Sequence, residues 1–598
     1  MRTRDFIILL ICAVTAAASL FAAGAQLDRI NAQRETLKLV SNPALENAPP
    51  SLAFATVALG AFRGLIVDIL WMRADDLKDK GQFFDARQVA EWITTLQPRF
   101  AAVWEFHAWN MAYNISVAIP ASQPEQRWRW VKNGYELLRD KGIPLNPRSI
   151  QLYRELGRIF QHKMGGVSDD AHEYYKLQFA EEIGPLLESA DNGMDRNDNR
   201  FLEALISMPA EWSAMNGDPN VAPFLQALRT ADEKFADESA FVKNYLSLRQ
   251  NPQRFKPAAA EVIEAYRGMP ALKKFDLFAK GYQLRNEWKM DPAMMVRIGQ
   301  KYGPVDFVDP NKHFPMDWRH PDSHAIYWAV KALDVAVLQK DRELTSNEVN
   351  TDRMVLHSLQ NLFRYGQIQI IQAPADPNTG VPGDKSIFLG PDLRIFDSYN
   401  KAALGVLAKY GEDRGRSEAY DNGYRNMLKN AVLSFYQGGL RDQAMKVFTD
   451  LRMRFGASYP EFNVSLDQFA MQRLVEELGS LGFTDATEQV VTVLTNAYRL
   501  YAYRNDDAAA ANERMAQQVW DRYYAEFGDT TRIDLPSMSV LRWVAINQFL
   551  NSDAYPVFIR RSLLERIRIE KPDLLKQLEQ TETQLRQQFE QSQKTQTQ

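Results

Sequence analysis

The sequence predicts an all-α protein built from antiparallel helix pairs, with one N-terminal membrane-spanning helix and a small inserted β-hairpin. Three observations lead to this prediction. An uncharged run near the N-terminus is long enough to cross a bilayer. From Leu52 onward, apolar residues recur at helical spacing between short Gly, Pro and Asn breaks. The length of 598 residues exceeds that of one compact domain, and it indicates either several domains or one elongated array.

Composition excludes several classes of protein. Hydrophobic residues make up 45% and charged residues 24% of the chain, which is typical of a folded protein and excludes wholesale disorder. Lys and Arg total 71 against 75 Asp and Glu, for a net charge of −4. Because a nucleic-acid binder needs a basic surface, we expect no nucleic-acid partner. The single cysteine, Cys12, excludes intrachain disulfides and a cysteine-based zinc site.

The run from Phe6 to Leu27 contains no charged residue, and about 20 apolar residues suffice for a membrane helix. A cleaved signal peptide is the alternative, since Ala23–Ala25 offers small residues at the cleavage spacing. The apolar stretch is longer than the usual signal-peptide core, which favours a retained anchor. Arg2 and Arg4 precede the run, which places the bulk of the chain outside the cytoplasm, in the periplasm beyond an inner membrane. The alternative is secretion after signal cleavage.

The composition and the breaks between helical patterns divide the chain into seven segments. In order, these are an anchor or signal segment at 1–27, a tether at 28–51, helical repeats at 52–184, a helical middle region at 185–302, an irregular loop with helices and a β-hairpin at 303–395, further helical repeats at 396–570, and an amphipathic helix with a polar tail at 571–598.

A spacing typical of helical repeats runs through the first third of the chain. Trp104 follows Pro98 by six residues, and Tyr153 follows Pro147 by the same number. Leu70 precedes Trp104 by 34 residues, which is the period of a helix-turn-helix repeat. Small and large apolar residues recur at helical spacing on both helices of each pair. These stripes are Leu70, Ala74, Leu77; Ala86, Ala90, Ile93; Tyr153, Leu156, Gly157, Phe160; Ala171, Tyr175; Leu428, Ala431, Phe435; and Ala444, Phe448, Leu451.

With these stripes and prolines, the chain resembles the tetratricopeptide repeat family. The resemblance covers about 120 residues near the N-terminus and one further unit near residue 440. It implies an α-solenoid, a right-handed superhelix of antiparallel helix pairs with a concave surface. In that family the concave surface binds peptides or partner proteins, so protein partners are expected here. The stripe residues themselves are interpreted as core.

Three later segments have patterns of their own. Residues 303–321 hold four prolines and predict an extended loop before a helix from Asp322 to Leu338. The alternating segments at 368–372 and 385–389 predict a β-hairpin with a long loop. A narrow apolar stripe between Leu574 and Phe589 predicts an amphipathic helix that docks on the last repeat or on a partner. The terminal residues 591–598 are too polar to fold by themselves.

No catalytic motif is found, and the sequence predicts neither an enzyme nor a cofactor. Phosphate-binding glycine loops and the G-x-S-x-G elbow are missing. One constellation remains, formed by His313, His320 and His324 with Asp317 and Asp322. Imidazoles with a carboxylate would suit Zn²⁺. The alternative is that these residues cap the helix and hydrogen-bond the proline-rich loop.

Aromatic residues provide the candidates for partner binding. Trp128 and Trp130 flank Arg129 beside a turn-rich insertion, where exposure is expected. Such rings stack on sugars or grip peptides, although most aromatic clusters in helical proteins form the core.

Three functions remain open at this point. The first is a membrane-tethered helical scaffold that binds partner proteins. The second is a periplasmic or surface protein that binds a glycan or peptide. The third is a metal-dependent enzyme around His313, His320 and His324.

Overall fold

A computed structural model describes Thr15 and residues 63–197, 199–338, 346–372, 385–410, 417–480, 486–527, 536–551 and 555–596. Apart from Thr15, the predicted anchor (6–27) and tether (28–51) lie outside the described residues. Within the described ranges, no helix combines the length and the apolarity that a membrane span requires. Most described residues are helical, which confirms the all-α class.

The part of the chain before the proline-rich loop consists mainly of helices. Their ranges are α1 Arg63–Asp79, α2 Phe83–Leu96, α3 Ala101–Trp109, α4 Pro124–Leu137, α5 Ile150–Arg158, α6 His172–Ile183, α7 Asn199–Ile206, α8 Trp212–Asn216, α9 Ala222–Ala231, α10 Phe241–Gln250, α11 Pro257–Ala265, α12 Pro270–Asn286 and α13 Pro292–Tyr302.

After that loop come further helices and one pair of strands. Their ranges are α14 Pro321–Val337, α15 Ser346–Tyr365, β1 Gln367–Gln372, β2 Lys385–Gly390, α16 Phe396–Tyr410, α17 Ser417–Gln437, α18 Arg441–Phe455, α19 Leu466–Ser480, α20 Ala486–Ala502, α21 Asp506–Phe527, α22 Met538–Asn551, α23 Val557–Glu570 and α24 Pro572–Gln596.

Contacts between residues divide the chain into two units, of which the first is the part up to Pro120 together with Arg129–Leu152. In this unit α1 packs on α2. Ala74 and Ala90 are buried where the two helices meet, and larger apolar side chains surround them. Because alanine adds little bulk, the two helices approach closely and the large residues interdigitate. The predicted stripes of the first helix pair are therefore core residues, as expected.

Three helices continue into π-helical segments, in which the backbone bonds skip one extra residue. The segments are Asn110–Ile115 after α3, Leu138–Gly142 after α4 and Ile159–Met164 after α5. In the last of these, the amide of Gly165 donates to the carbonyl of Phe160 over 2.8 Å. Such segments are uncommon in helices and occur frequently at functional sites.

The second unit comprises Ala121–Trp128 and the chain from Tyr153 onward. Phe275 of α12 lies at the centre of an aromatic cluster, with ring centroids 4.8 to 6.3 Å from its own. The neighbouring rings belong to Trp212, Phe224, Phe241, Tyr245 and Phe278. Farther along the chain, α14 packs along α15, and Asp322, which is discussed below, lies in the first turn of α14.

The predicted β-hairpin is present. β1 and β2 are antiparallel, with Gln367 opposite Gly390 and Gln372 opposite Lys385. Its connecting loop, residues 373–384, lies outside the described residues.

The helix pair α17 and α18 confirms the downstream stripes as core. Leu428, Phe435 and Phe448 are buried, and the turn between the helices uses Gly439 at a φ of 77°. A left-handed φ of this kind disfavours residues with a Cβ, so glycine ends the first helix and allows the chain to reverse.

The C-terminal helix α24 contains the predicted amphipathic stripe. It packs on α22 and α23 and continues to Gln596, into the polar segment that was expected not to fold by itself. This segment continues a helix that is already docked. Extending an existing helix avoids the cost of nucleation, and Gln and Lys are good helix formers.

Candidate functional site

Two of the three histidines near residue 320 make the contacts that the alternative to a metal site predicts. His320 caps α14, and its Nδ1 accepts from the amide of Asp322 over 3.1 Å. His324 is buried, with its Nε2 atom 2.8 Å from the carbonyl oxygen of Trp318. His313 lies half-buried in the preceding loop. In the described part of the chain, no three His, Cys, Asp or Glu side chains are grouped so that they could hold a metal ion.

Neither tryptophan predicted to bind a partner is freely exposed. Trp128 is 7% exposed and stacks on Tyr175 with ring centroids 6.1 Å apart. Trp130 is half-buried against Phe84, with the guanidinium of Arg87 over its ring. The expected exposure is therefore wrong for Trp128, because the helix turns this ring toward the protein interior.

A cluster of charged residues is buried in the second unit, between the end of α5 and the start of α6. We call Arg127, Lys163, Asp169 and Tyr175 the Asp169 cluster. The carboxylate of Asp169 accepts from Lys163 Nζ at 2.5 Å, Arg127 Nη1 at 3.2 Å, Tyr175 Oη at 3.2 Å and the amide of Ala171 at 2.9 Å. Burial alone would raise the pKa of Asp169, but the bonds from Lys163 and Ala171 outweigh it and lower that pKa. The carboxylate of Asp169 therefore compensates the positive charges of the buried Lys163 and Arg127.

A second group of ionisable residues lies beside the first. We call His172, Lys176, His320 and Asp322 the Asp322 cluster. Lys176 is 1% exposed, and its ammonium donates to the carbonyl of Gly166 over 2.7 Å and lies 3.0 Å from His172 Nδ1. Burial lowers the pKa of Lys176 to about 8, although Asp322 acts in the opposite direction. Burial and the neighbouring Lys176 lower the pKa values of His172 and of His320 to about 4.

Asp322 supplies the carboxyl group of this cluster, and its side chain is fully buried, at 0% exposure. Its Oδ1 accepts from Asn361 over 3.1 Å. Its Oδ2 receives no hydrogen bond from the described residues and lies 3.6 Å from His320 Nδ1. Burial raises the pKa of Asp322 to about 7, while Asn361, Ser358 and Lys176 oppose the rise. Both Asp322 and Lys176 therefore change protonation close to neutral pH, inside the protein.

A glycine allows this carboxyl to approach the backbone. A Cβ at position 165 would lie 2.6 Å from Asp322 Oδ2 and 2.7 Å from the carbonyl oxygen of Gln161. No real Cβ tolerates such distances, so any other residue would force the π-helical end of α5 away from α14.

We expect Gly165→Ala to lower the free energy of unfolding by about 1–3 kcal/mol, because overpacking displaces buried groups. Urea denaturation of the full chain measures this loss. Gly405→Ala is the matched control, since position 405 lies inside α16 with nothing within 4 Å of an added Cβ. This control is expected to gain about 0.5–1 kcal/mol from helix propensity. Equal effects of the two substitutions would contradict the close approach.

The sequence contains a signal for these clusters that motif searching misses. Lys176 stands at the helical spacing of Phe179, Ala180 and Ile183, all of which are buried. A lysine inside an apolar stripe is rarely buried without partners.

A large apolar groove also lies in the second unit. We call it the methionine groove, and its cavity volume is about 810 Å³. Phe307, Phe396 and Phe435 contribute rings to its lining, with Phe435 within 5.3 Å and 6.0 Å of the other two centroids. Met445 and Met453 of α18 stand on its side, 48% and 74% exposed. Sulfur-containing side chains of this exposure are flexible and pack on ligands of varied shape.

Charges around the groove are partly unpaired. Arg394 and Arg454 lining the groove form ion pairs with neighbouring aspartates at 2.8 Å. Asp397, Asp442 and Lys446 also line it, and no ion pair joins any of these three to another described residue. Two free carboxylates against one free ammonium give the rim a small negative excess.

Comparison with known proteins adds no assignment. No family model matches the chain, and no curated protein is detectably similar to it in sequence.

Proposed function

We propose that this chain is a helical scaffold that binds a partner protein through the methionine groove. The partner contributes an amphipathic helix with basic residues beside its apolar face. The observation that carries the proposal is an apolar groove of about 810 Å³ with exposed methionines on its side.

The volume of the groove, about 810 Å³, and its side chains support a helix as its occupant. Laying the apolar face of a helix into a hydrophobic groove is a common mode of peptide recognition, and its anchors recur every three to four residues. Aromatic rings below and methionines beside the groove supply a large contact area that adapts to the anchors. Apolar patches with a polar rim mark interaction sites on folded proteins.

Charge complementarity supports basic flanks on that helix. Asp397 and Asp442 at the groove carry unpaired carboxylates, whereas Lys446 alone opposes them. Basic residues beside the apolar face of the partner would meet these carboxylates. Rim charges of this kind raise association rates and select partners more than they add affinity.

The remaining parts of the proposal come from the sequence. Helix pairs with a tetratricopeptide-like period form the scaffold, and residues 6–27 hold it at the inner membrane with the groove on the periplasmic side. No catalytic step is assigned to the chain.

Site-specific photo-crosslinking in cells tests the proposal. A photoreactive amino acid in place of Met453 is expected to yield one adduct with a partner, whose crosslinked segment is an amphipathic helix with basic flanks. The same amino acid in place of Ile569, which is 75% exposed on α23, is the matched control and should not give this adduct. A synthetic peptide of the crosslinked segment is then titrated against the purified full chain.

Met453→Asp is expected to weaken peptide binding at least tenfold, because it places a charge against an apolar face. Ile569→Asp should leave the affinity unchanged. The proposal fails if position 453 gives no adduct, if its adduct also forms at position 569, or if the crosslinked segment is acidic or lacks an apolar face.

A further inference from the structure

A cleft of the second unit lies between α15, α16 and α17. Its volume is about 440 Å³, which falls within the range typical of small-molecule sites. None of its described lining residues also lines the methionine groove. Val406 and Leu407 of α16 and Met427 of α17 contribute apolar side chains to the lining. We call it the Gly423 cleft.

A glycine on the α17 wall leaves the cleft open. The α17 residues of the lining recur every three or four positions, as Tyr420, Gly423, Met427 and Asn430. Such a spacing places them on one face of the helix. Gly423 stands on this face, and nothing lies within 4 Å of a Cβ added there. A side chain at this position would therefore extend into the cleft, whereas glycine leaves that space to a ligand.

The lining carries a positive charge that is not neutralised. Arg353 of α15 is part of it, and no Asp or Glu is among the described lining residues. The acid next to Arg353 in the chain, Asp352, pairs with Lys409 at 2.6 Å, and no ion pair joins Arg353 to another described residue. A guanidinium in this situation favours a carboxylate, with which it forms two parallel hydrogen bonds.

A stack of rings supports the guanidinium. The guanidinium carbon of Arg353 lies 5.4 Å from the ring centroid of Tyr420, which also lines the cleft. Tyr410 stacks on Tyr420 at an interplanar angle of 15°, and its hydroxyl donates to the carboxylate of Asp352. Because this stack restricts the guanidinium before a ligand enters, less conformational entropy is lost on binding.

The lining suits a ligand with one anionic end and an apolar body. A carboxylate at Arg353 would leave the rest of the molecule against Val406, Leu407 and Met427. Burial of that apolar part drives binding, and the guanidinium selects an anion over a cation of the same shape. The C-terminus of a peptide also carries a carboxylate, but its amide groups would lose hydrogen bonds with water against the apolar wall.

We therefore propose that the Gly423 cleft binds a small carboxylic acid with an apolar body, in its ionised form. Arg353 pairs with the carboxylate, and the α16 and α17 walls enclose the hydrocarbon. This site is separate from the methionine groove and does not depend on the proposed partner protein.

Ligand-detected NMR titration of the full-length protein with octanoate tests this site. Gly423→Leu fills the cleft and leaves Arg353 in place, so it is expected to weaken octanoate binding at least tenfold. Gly405→Leu is the matched control, because position 405 also has nothing within 4 Å of an added Cβ and does not line the cleft. Leucine is a better helix former than glycine, so both variants should fold, and circular dichroism checks this.

A second pair of variants tests the charge. Arg353→Gln keeps a polar side chain and removes the guanidinium, and it should weaken octanoate binding at least tenfold. Arg514→Gln is its control, on an exposed arginine of α21 outside the cleft lining, and should bind octanoate as the wild type does. Octylamine, which has the opposite charge on the same hydrocarbon chain, should bind at least tenfold more weakly than octanoate.

Five results would overturn the proposal. They are no octanoate binding by the wild type at millimolar concentration, equal losses in the two glycine variants, equal losses in the two arginine variants, equal affinity for octylamine, and tighter binding of N-acetyl-leucylleucine than of octanoate. Met453→Asp in the methionine groove should leave octanoate binding unchanged, so this test and that of the proposed function fail independently.

Discussion

Asp169→Ala is expected to lower the free energy of unfolding by about 3–5 kcal/mol, because it leaves two buried cations without their anion. Lys163 and Arg127 donate to this carboxylate at 2.5 and 3.2 Å, and the three side chains are 4%, 8% and 5% exposed for Lys163, Arg127 and Asp169. Little water reaches the cluster to replace the lost charge. Urea denaturation of the full chain measures the loss, and hydrogen exchange resolved by peptide should show the largest loss of protection over residues 159–183.

The control for Asp169→Ala is an ion pair of similar length on the surface. Arg297 and Asp334 are 2.5 Å apart and more than half exposed. Asp334→Ala should therefore cost about 0–1 kcal/mol, since solvent screens the pair. A loss for Asp169→Ala no larger than that of Asp334→Ala would show that the buried cluster contributes nothing to stability.

Asp322→Asn is expected to make the protein more stable than the wild type at pH 8, by about 2–4 kcal/mol, and to leave stability unchanged at pH 4. Burial raises the pKa of Asp322 to about 7, whereas the unfolded chain releases this proton near pH 4. Between these values the folded protein binds the proton and the unfolded chain does not. The wild type therefore loses stability as the pH rises from about 4 to about 7. Asparagine does not ionise in this pH range, so the variant does not show this loss of stability.

The other groups of the Asp322 cluster act in the opposite direction. His172 and His320 have pKa values of about 4 in the folded protein, so they add stability as the pH rises from about 4 to about 6.5. Lys176, with a pKa of about 8, adds stability between about pH 8 and 10.5. Asp322 also raises the pKa of Lys176, so the difference between the variant and the wild type at pH 8 measures the loss of the buried carboxylate together with its attraction to Lys176.

Urea denaturation at a series of pH values measures this difference. Asp421→Asn, on an exposed carboxylate of α17, should show no crossover with pH. An Asp322→Asn variant that is less stable than the wild type at pH 8 would show that the carboxylate, and not the neutral acid, is the form that the folded protein prefers.

Much of the fold could be predicted from the sequence because helices, strands and turns follow from local patterns. These patterns are the helical periodicity, the alternation in the hairpin and the glycine breaks. The buried alanines at 74 and 90, the strands at 367–372 and 385–390 and the start of the helix at Pro321 follow from them. The terminal helix was predicted from its apolar stripe, but its extension to Gln596 was not, because those last residues depend on the helix before them.

The candidate sites depended on contacts that no local pattern shows. The nearness of Asp322 to Gly165, more than 150 residues earlier in the chain, arises only when α14 packs beside the end of α5. The three histidines near residue 320 suggested one site because they are close in sequence, but His320 caps α14 and His324 lies beside the carbonyl oxygen of Trp318. Trp128 was expected to be exposed because it stands beside a turn-rich insertion, but it lies on the buried face of its helix.

The π-helical segment after α5 has a consequence for how this protein tolerates length changes. Relative to an α-helix, such a segment is equivalent to one inserted residue, and each residue turns a helix by about 100°. Deleting one residue between 159 and 162 would remove this extra residue and restore the regular helix, so the residues beyond it would keep their positions. Lys163 and Gly165 would stay beside the carboxylates of Asp169 and Asp322. A deletion within α5, which contains no extra residue, would instead rotate one part of that helix relative to these groups. We therefore expect the chain to tolerate the loss of one residue in the π-helical segment better than in the turns before it.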